Sequence, residues 1–526
     1  MDTEATQALL AGLPERISAI PRYWMQRQPD APALHDGGRY WSYAQLSFAI
    51  DGAAQMLREL GVRAGDRLMV VGENCMAQVA LTFAAAGIDA WIVHVNSRLS
   101  SLEVDALRSH SGARRVLYTT GSSLEALAHA HRHNAVPCDC PLLGMLWIGA
   151  LKHDAPIEAV AQSNRAQVAA LIYTSGTTGA AKGVMLSHRN LLFIAAVSSK
   201  LRGLATSDRA YGVLPLAHVY GLASVMLGTL YAGACLYLAP RFSPTVLLNS
   251  LKTERLTILQ GVPAMYARLL ATLATENAAA LPLNLGAHLR FIYAGGSPLD
   301  PGLKRRVEHC FGLPLHNGYG MTESAPTISQ TRLDAPRNDT SVGLAIPGVA
   351  VRIVDQSGLD AGPNNAGELW VRGPNVMLGY YRAPELTAAA LRPGGWLSTG
   401  DLARQELDGA LFIVGRSKDL IIRSGFKIYP LELETLINAY PGVLQSAVVG
   451  RLVADGDEEV VAFIEIDPLH TVQPAHLQSH LARLLAPYKC PAEVIVMAAL
   501  PASSTGKILK ARLRELAQAS GQFDGA

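Results

Sequence analysis

Six cysteines among 526 residues are too few and too scattered for a disulfide framework. Cys75, Cys138, Cys140, Cys235, Cys310 and Cys490 suit a reducing compartment, so the expected location is the cytoplasm. An excess of one charge is also lacking: 45 Lys and Arg stand against 43 Asp and Glu, a formal net charge of +2. That balance excludes the basic footprint of a nucleic-acid binder and a polybasic membrane surface. The opening Met1-Asp2-Thr3-Glu4 lacks the basic-then-apolar order of a secretory signal. No repeat or low-complexity tract breaks the chain. One uncharged run, 211–239, exceeds the ~20 residues that span a bilayer. Pro215, His218 and Gly212, Gly221, Gly228 and Gly233 divide it, so it predicts a buried helix followed by a strand at 235–238. What the chain does have is apolar content, 49%, ample for several buried cores. Its expected partner is a small molecule.

Short apolar runs alternate with helical patterns through the first half. Strands are predicted at 68–71, 91–95 and 115–119, and helices at 75–86 and 101–111. This alternation favours parallel sheets covered by helices. Ser42 is a candidate N-cap for a helix whose apolar stripe is Leu46, Ile50, Ala53 and Leu57. A further helix is expected at 300–310 and a strand at 367–373. Between 394 and 425 the chain turns dense in Gly, Asp, Arg and Lys. Beyond it, helices at 431–439 and 474–485 and strands at 446–449, 460–466 and 494–497 form an α+β pattern. The expected architecture is α/β: a large N-terminal region, 1–416, of parallel-type sheets with packed helices, a hinge at 417–418, and a small mobile α+β domain at 419–526.

The most informative segment is Tyr173-Thr-Ser-Gly-Thr-Thr-Gly-Ala-Ala-Lys-Gly183, expected between a strand at 168–172 and a helix rich in Leu and Ala. Its backbone N–H groups, hydroxyls and lysine suit an anion. It is no Walker A loop, because Lys182 precedes Gly183 rather than Ser or Thr. Alone, the segment would read as a hydroxyl-rich turn. Four further motifs follow it in order: Asn317-Gly-Tyr-Gly-Met-Thr-Glu-Ser324, Ser398-Thr-Gly-Asp401, Gly415-Arg-Ser-Lys-Asp419 and Pro501-Ala-Ser-Ser-Thr-Gly-Lys507. Together they resemble the signature motifs of the adenylate-forming superfamily of acyl-CoA synthetases, peptide-synthetase adenylation domains and luciferases, over about residues 30 to 512. Ala181 departs from the proline usual there, which removes no phosphate ligand.

The resemblance implies that a carboxylate attacks the α-phosphate of ATP, and that CoA then takes the acyl group. It assigns Thr174, Ser175, Gly176, Thr177, Thr178, Gly179 and Lys182 to the phosphates. Asn317, Gly318, Tyr319 and Gly320, with Gly296 and Ser297, would hold the nucleotide, Tyr319 against adenine. Thr322 would reach the α-phosphate and Glu323 would bind Mg²⁺, a hard cation that accepts carboxylate oxygen. Asp401 would accept from the ribose hydroxyls, and Arg416 would support the nucleotide. Lys507, on the small domain, would bridge carboxylate and α-phosphate. Lys418 would be the hinge, Gly425 would border the pantetheine tunnel, and Lys427 shares that loop. The oligomeric state stays open, a homodimer among the options.

The acyl pocket is expected at His218, Tyr220, Gly221, Tyr293 and Gly295. Segments 214–226 and 291–298 hold no Lys, Arg, Asp or Glu. An unpaired second carboxylate would be costly to bury there, which favours apolar monocarboxylic acids, aliphatic slightly ahead of aryl, over malonate or an amino acid. Gly221, Ala223, Gly295 and Gly296 are expected to leave room for the acid. His129, His131, His133, Cys138 and Cys140 invite a zinc reading, but their one-residue spacings miss the usual patterns and read as plain surface.

Overall fold

Local hydrogen bonding fixes where many helices begin. Ser42 Oγ accepts from Gln45 N, and the Gln45 side chain accepts from Ser42 N, a reciprocal cap that starts helix Tyr43–Glu59. Its buried face carries Leu46, Ile50, Ala53 and Leu57. Ser100 and Glu103 repeat the arrangement at helix Ser101–Ser111, which ends on left-handed Gly112. Asp300 caps Pro301–Phe311. The computed structural model describes residues 3–175, 181–276, 287–424, 426–453, 457–467, 470–502 and 508–520.

Two large sheets and one smaller sheet precede residue 417. The eight-stranded sheet centres on parallel strands Arg67–Gly72, Trp91–Asn96 and Arg115–Thr119. Every residue of the first is buried, so a continuous apolar run rather than alternation marks it. The nine-stranded sheet has a parallel core of Pro32–Asp36, Cys235–Leu238, Arg209–Gly212, Ile258–Gly261, Phe291–Ala294 and Leu315–Gly320. Both sheets carry antiparallel strands at their edges. A third sheet, built on Gly367–Arg372 and Trp396–Gln405, is wholly antiparallel, so the parallel expectation describes only the sheet centres.

After the short turn Ser417–Asp419, hairpin Ile421–Arg423/Phe426–Ile428 leads into a three-stranded sheet of Val443–Leu452, Glu458–Ile466 and Glu493–Met497. Val448, Val460, Ala462 and Ile464 belong to one apolar cluster, with Leu433 and Ile437. Ala447, Val449, Val461 and Phe463 belong to another, with Leu513 and Ala517. Period-two alternation thus puts a helix on each face.

Three expectations need correction. The glycine- and threonine-rich segment does not lead into a helix, because strand Ala181–Ser187 intervenes before helix His188–Leu201. Helix Pro474–Leu481 is shorter than its pattern suggested. His129 and His133 are not plain surface. His129 is buried with Nε2 3.0 Å from the Ser97 carbonyl, and His133 Nε2 lies 2.7 Å from Asp105 Oδ1. His131 packs edge-on against Trp147. Run 211–239 contains helical turns Tyr220–Leu227 and Gly228–Tyr231 and strand Cys235–Leu238. Among the described residues no helix is long and apolar enough to cross a membrane.

Four histidines, His94, His188 and His316 buried and His218 partly so, contribute to the acid response of stability. Burial lowers His94 and His188 to about 3, and His218 and His316 to about 4. The unfolded chain, with histidines near 6.5, therefore binds more protons than the folded chain below that pH. Stability held above pH 6.5 is lost as pH falls towards 4. The urea midpoint, measured at fixed ionic strength, should drop steadily across this window.

Candidate active site

Chemistry-bearing side chains gather at the carboxyl ends of the parallel strands in the nine-stranded sheet, where open α/β sheets present their loops. Thr174 and Lys182 come from the neighbouring sheet. They are directly paired across hairpin Val168–Ser175/Ala181–Ser187. Ser175 ends the first strand. Gly176, Thr177, Thr178 and Gly179 lie outside the described residues.

Strand Gly379–Tyr380 joins the outer edge of that hairpin, with Tyr380 opposite Val184. Lys182 Nζ stands 5.3 Å above the Tyr380 ring, a cation–π contact. The Tyr380 hydroxyl donates to Glu323 Oε1 at 2.8 Å. Glu323 is 8% exposed, on the turn Thr322–Ser324 that follows Leu315–Gly320. Burial, with the Glu323 charge beside it, raises the Tyr380 phenol, so it stays a donor at neutral pH. Tyr380 escaped the sequence reading; the aromatic pair Tyr380-Tyr381 after Gly379 was its only signal.

A buried carboxylate held through one oxygen, with the Thr322 hydroxyl next to it in the chain, supplies the oxygen ligands that would suit Mg²⁺. Tyr380→Phe should free Glu323 from its fixed orientation. We expect kcat for pyrophosphate release to fall about 10-fold, the loss of one charge-assisted hydrogen bond, with Tm within a few degrees of the parent. A fall in Tm with kcat preserved would make Tyr380 a packing residue only.

Asp401, 3% exposed, is gripped from two sides. The Tyr319 hydroxyl donates to Oδ2, and Arg416 Nε lies 2.7 Å from Oδ1. Asp401 and Arg416 are paired across the antiparallel strands Trp396–Gln405 and Leu411–Arg416. Burial and the Asp401 charge push the Tyr319 phenol well up. Asn317 Nδ2 donates to the Thr340 and Ser341 carbonyls at 3.1 and 3.2 Å, which anchors the strand carrying Gly318, Tyr319 and Gly320. Gly295, Gly296 and Ser297 follow the adjacent strand, Gly296 with φ +83°.

Tyr293 and Tyr220 form an edge-to-face pair with centroids 6.2 Å apart. Tyr293 reaches Gly318, where an added Cβ would overlap its hydroxyl. His218 is neutral at pH 7, lowered to about 4 by burial, and its Nε2 has no partner. Gly221 does not make room for a ligand: a Cβ there would overlap the Leu214 and Pro215 carbonyl oxygens, so the glycine serves backbone packing. Segments 214–226 and 291–298 are uncharged, but the structure brings them a charge from elsewhere. Arg202, fully buried, stacks its guanidinium 4.8 Å from the Tyr293 ring centroid.

The remaining expected residues lie after 416. Lys418 is exposed, and its carbonyl accepts from Arg514 Nη2 at 3.3 Å. Lys427 is exposed on hairpin strand Phe426–Ile428. Gly425 and Lys507 lie outside the described residues.

Two known domains match this chain: the AMP-binding enzyme domain over residues 22–381, and the AMP-binding enzyme C-terminal domain over 432–507. A feruloyl-CoA synthase from an Amycolatopsis species is 35% identical over 489 residues, covering 92% of this chain and 96% of the relative. The indoleacetate–CoA ligase of Aromatoleum aromaticum is 34% identical, covering 94% of this chain and 97% of the relative. Among solved structures, ATP-bound MatB from Rhodopseudomonas palustris superposes with a TM-score of 0.82 at 29% identity, over 96% of this chain and 99% of that one.

Proposed function

The chain belongs to the AMP-binding enzyme family, and on that premise we propose that it is an AMP-forming acyl-CoA synthetase acting on a carboxylic acid with an apolar body. As its relatives are CoA ligases, its class is acid–thiol ligase. The names of those relatives, feruloyl and indoleacetate, favour an aryl acid over the aliphatic chain that sequence alone put first. ATP, CoA and the acid are its substrates. The observation that carries the reading is the meeting of Lys182, Tyr380 and Glu323 at the mouth of the anion hairpin.

An oxygen of the acid attacks the α-phosphorus of ATP, and the bond to the β-phosphate oxygen breaks to release pyrophosphate. The barrier is dominated by bringing anions together, so positioned charge should supply most of the catalysis. Thr174, Lys182 and the glycines and threonines of 176–179 hold the phosphates, and Thr322 reaches the α-phosphate. Bound Mg²⁺, held by Glu323, would neutralise phosphate charge. Asp401 accepts from the ribose once Arg416 and Tyr319 have fixed its carboxylate, and Tyr319 faces adenine. In the second step the CoA sulfur attacks the acyl carbon and AMP leaves.

We place the two steps on alternate arrangements of residues 1–416 and 419–526, turning about 417–418, with Lys507 serving the first and Gly425 and Lys427 the second. The test is thioester formation from ATP and a panel of aryl and aliphatic acids, with CoA or with a holo-carrier protein as acceptor. Acyl-CoA from an aryl or aliphatic acid is the expected product, with malonate poor. Thioester on the carrier alone overturns the CoA reading. Tight ATP binding without pyrophosphate release from any acid overturns catalysis altogether.

A further inference from the structure

Helix His188–Leu201 ends on Arg202, whose side chain is fully buried. A buried guanidinium normally meets a carboxylate, because an uncompensated charge is costly away from water. Arg202 meets none among the described residues. Its Nη1 donates to Gln260 Oε1 at 2.7 Å and to the Ser224 carbonyl at 3.2 Å, while Nε and Nη2 have no partner.

The surroundings share this imbalance. Gln260 and Tyr293 are paired in register on adjacent parallel strands, so both side chains stand on one face of the sheet. Gln260 spends its oxygen on Arg202, and its Nε2 is left without a partner. Tyr220 and Tyr293 pack with Ala210, Ile258 and Phe291 in a small apolar cluster on the same part of the sheet. The Tyr220 hydroxyl also has no partner. Arg202, Gln260 and Tyr220 therefore offer unspent donors beside the two rings assigned to the acid, and Arg and the Gln amide nitrogen cannot accept. Arg202 contacts Ser224, Gln260 and the Tyr293 ring, which puts it beside a ring assigned to the body of the acid.

We propose that Arg202, with Gln260 Nε2, is a specificity-determining site for an oxygen acceptor at the end of the acid remote from the reacting carboxylate. This rests on the acyl-CoA synthetase reading and narrows its substrate class: an apolar-bodied acid whose far end carries a carbonyl, phenolic or carboxylate oxygen. A site built to hydrogen-bond such a group rejects the analogue lacking it far more strongly than an apolar pocket rejects an extra methylene. Sequence missed it because Arg202 lies outside both segments expected to line the pocket.

The test compares kcat/KM for pyrophosphate release within matched series. These are 4-methylbenzoate, 4-acetylbenzoate and terephthalate; 4-methylcinnamate, 4-hydroxycinnamate and 4-carboxycinnamate; octanoate and octanedioate. In at least one series an acceptor-bearing member should exceed its methyl counterpart by 10-fold or more, and which member leads separates neutral from anionic oxygen. Arg202→Met should cut that ratio at least 10-fold, and Arg202→Lys should restore part of it. Methyl members leading in every series overturn the proposal and leave the ligase reading standing. So does a ratio that Arg202→Met leaves unchanged. Should Arg202→Met fail to fold, the order measured on the parent enzyme decides. Pyrophosphate release from no acid at all overturns the ligase reading, and this one with it.

Discussion

Lys507→Ala is expected to lower acyl-adenylate formation by about 10²–10³-fold, the usual cost of deleting one positioned donor to developing transition-state charge. Thioester formation from supplied acyl-AMP should be largely retained. An ammonium on a flexible stem suits a bridge between two anions, and the proposed turn about 417–418 would let it withdraw between steps. On the proposed role of Gly425, Gly425→Leu should do the reverse, because a side chain there would block the thiol but not the first step. Each variant is assayed for pyrophosphate release and, separately, for acyl-CoA formed from acyl-AMP. Equal loss of both half-reactions in both folded variants would refute the division of labour between the two parts of the chain.

Gly320→Ala should be nearly as damaging. The ladder between Leu315–Gly320 and Thr327–Gln330 shifts register at Tyr319/Gly320, which brings Gly320 against the opposing backbone. An added Cβ would overlap the Pro326 carbonyl oxygen and sit 3.0 Å from Thr327 Cα. Both obstacles are main chain, so no rotamer change relieves them. The same Pro326 carbonyl accepts from Met321 N at 3.0 Å, one residue before Thr322 and Glu323. Displacing it moves the turn that carries both side chains. A displacement of about 1 Å near reacting groups can cost about 10²-fold in rate, and overpacking typically costs about 1–3 kcal/mol of stability. Gly318→Ala should be milder when combined with Tyr293→Phe, which removes the nearer obstacle, the Tyr293 hydroxyl. Urea midpoints and pyrophosphate release measured on the three variants check this order. A Gly320→Ala enzyme with parental activity would show that the turn does not position the site.

The legible parts of the fold are those governed by neighbours in the chain. Ser42 with Gln45, and Ser100 with Glu103, start helices through bonds three residues long, so their sequences suffice. The continuous apolar runs Ala447-Val-Val449 and Val460-Val-Ala-Phe-Ile464 likewise announce two covered faces. Strand Ala181–Ser187 was not legible: its short run Val184-Met-Leu186 fits a strand or the start of a buried helix equally, and only pairing with Val168–Ser175 decides.

By itself, then, the sequence determined the family: a hydroxyl-rich segment with Lys182, the Thr322-Glu323 pair and Asp401 stand in the order of one enzyme family. Those groups sit in contiguous motifs, because backbone loops and short turns shape them. Only the tertiary structure decided which side chains orient them. Tyr380 holds Glu323 across 57 residues, Tyr319 meets Asp401 across 82, and Arg202 meets Gln260 across 58. Such contacts depend on which strands pair and on which face each side chain stands, and the packing of two sheets settles both. Periodicity says that a residue is buried. It does not say against what.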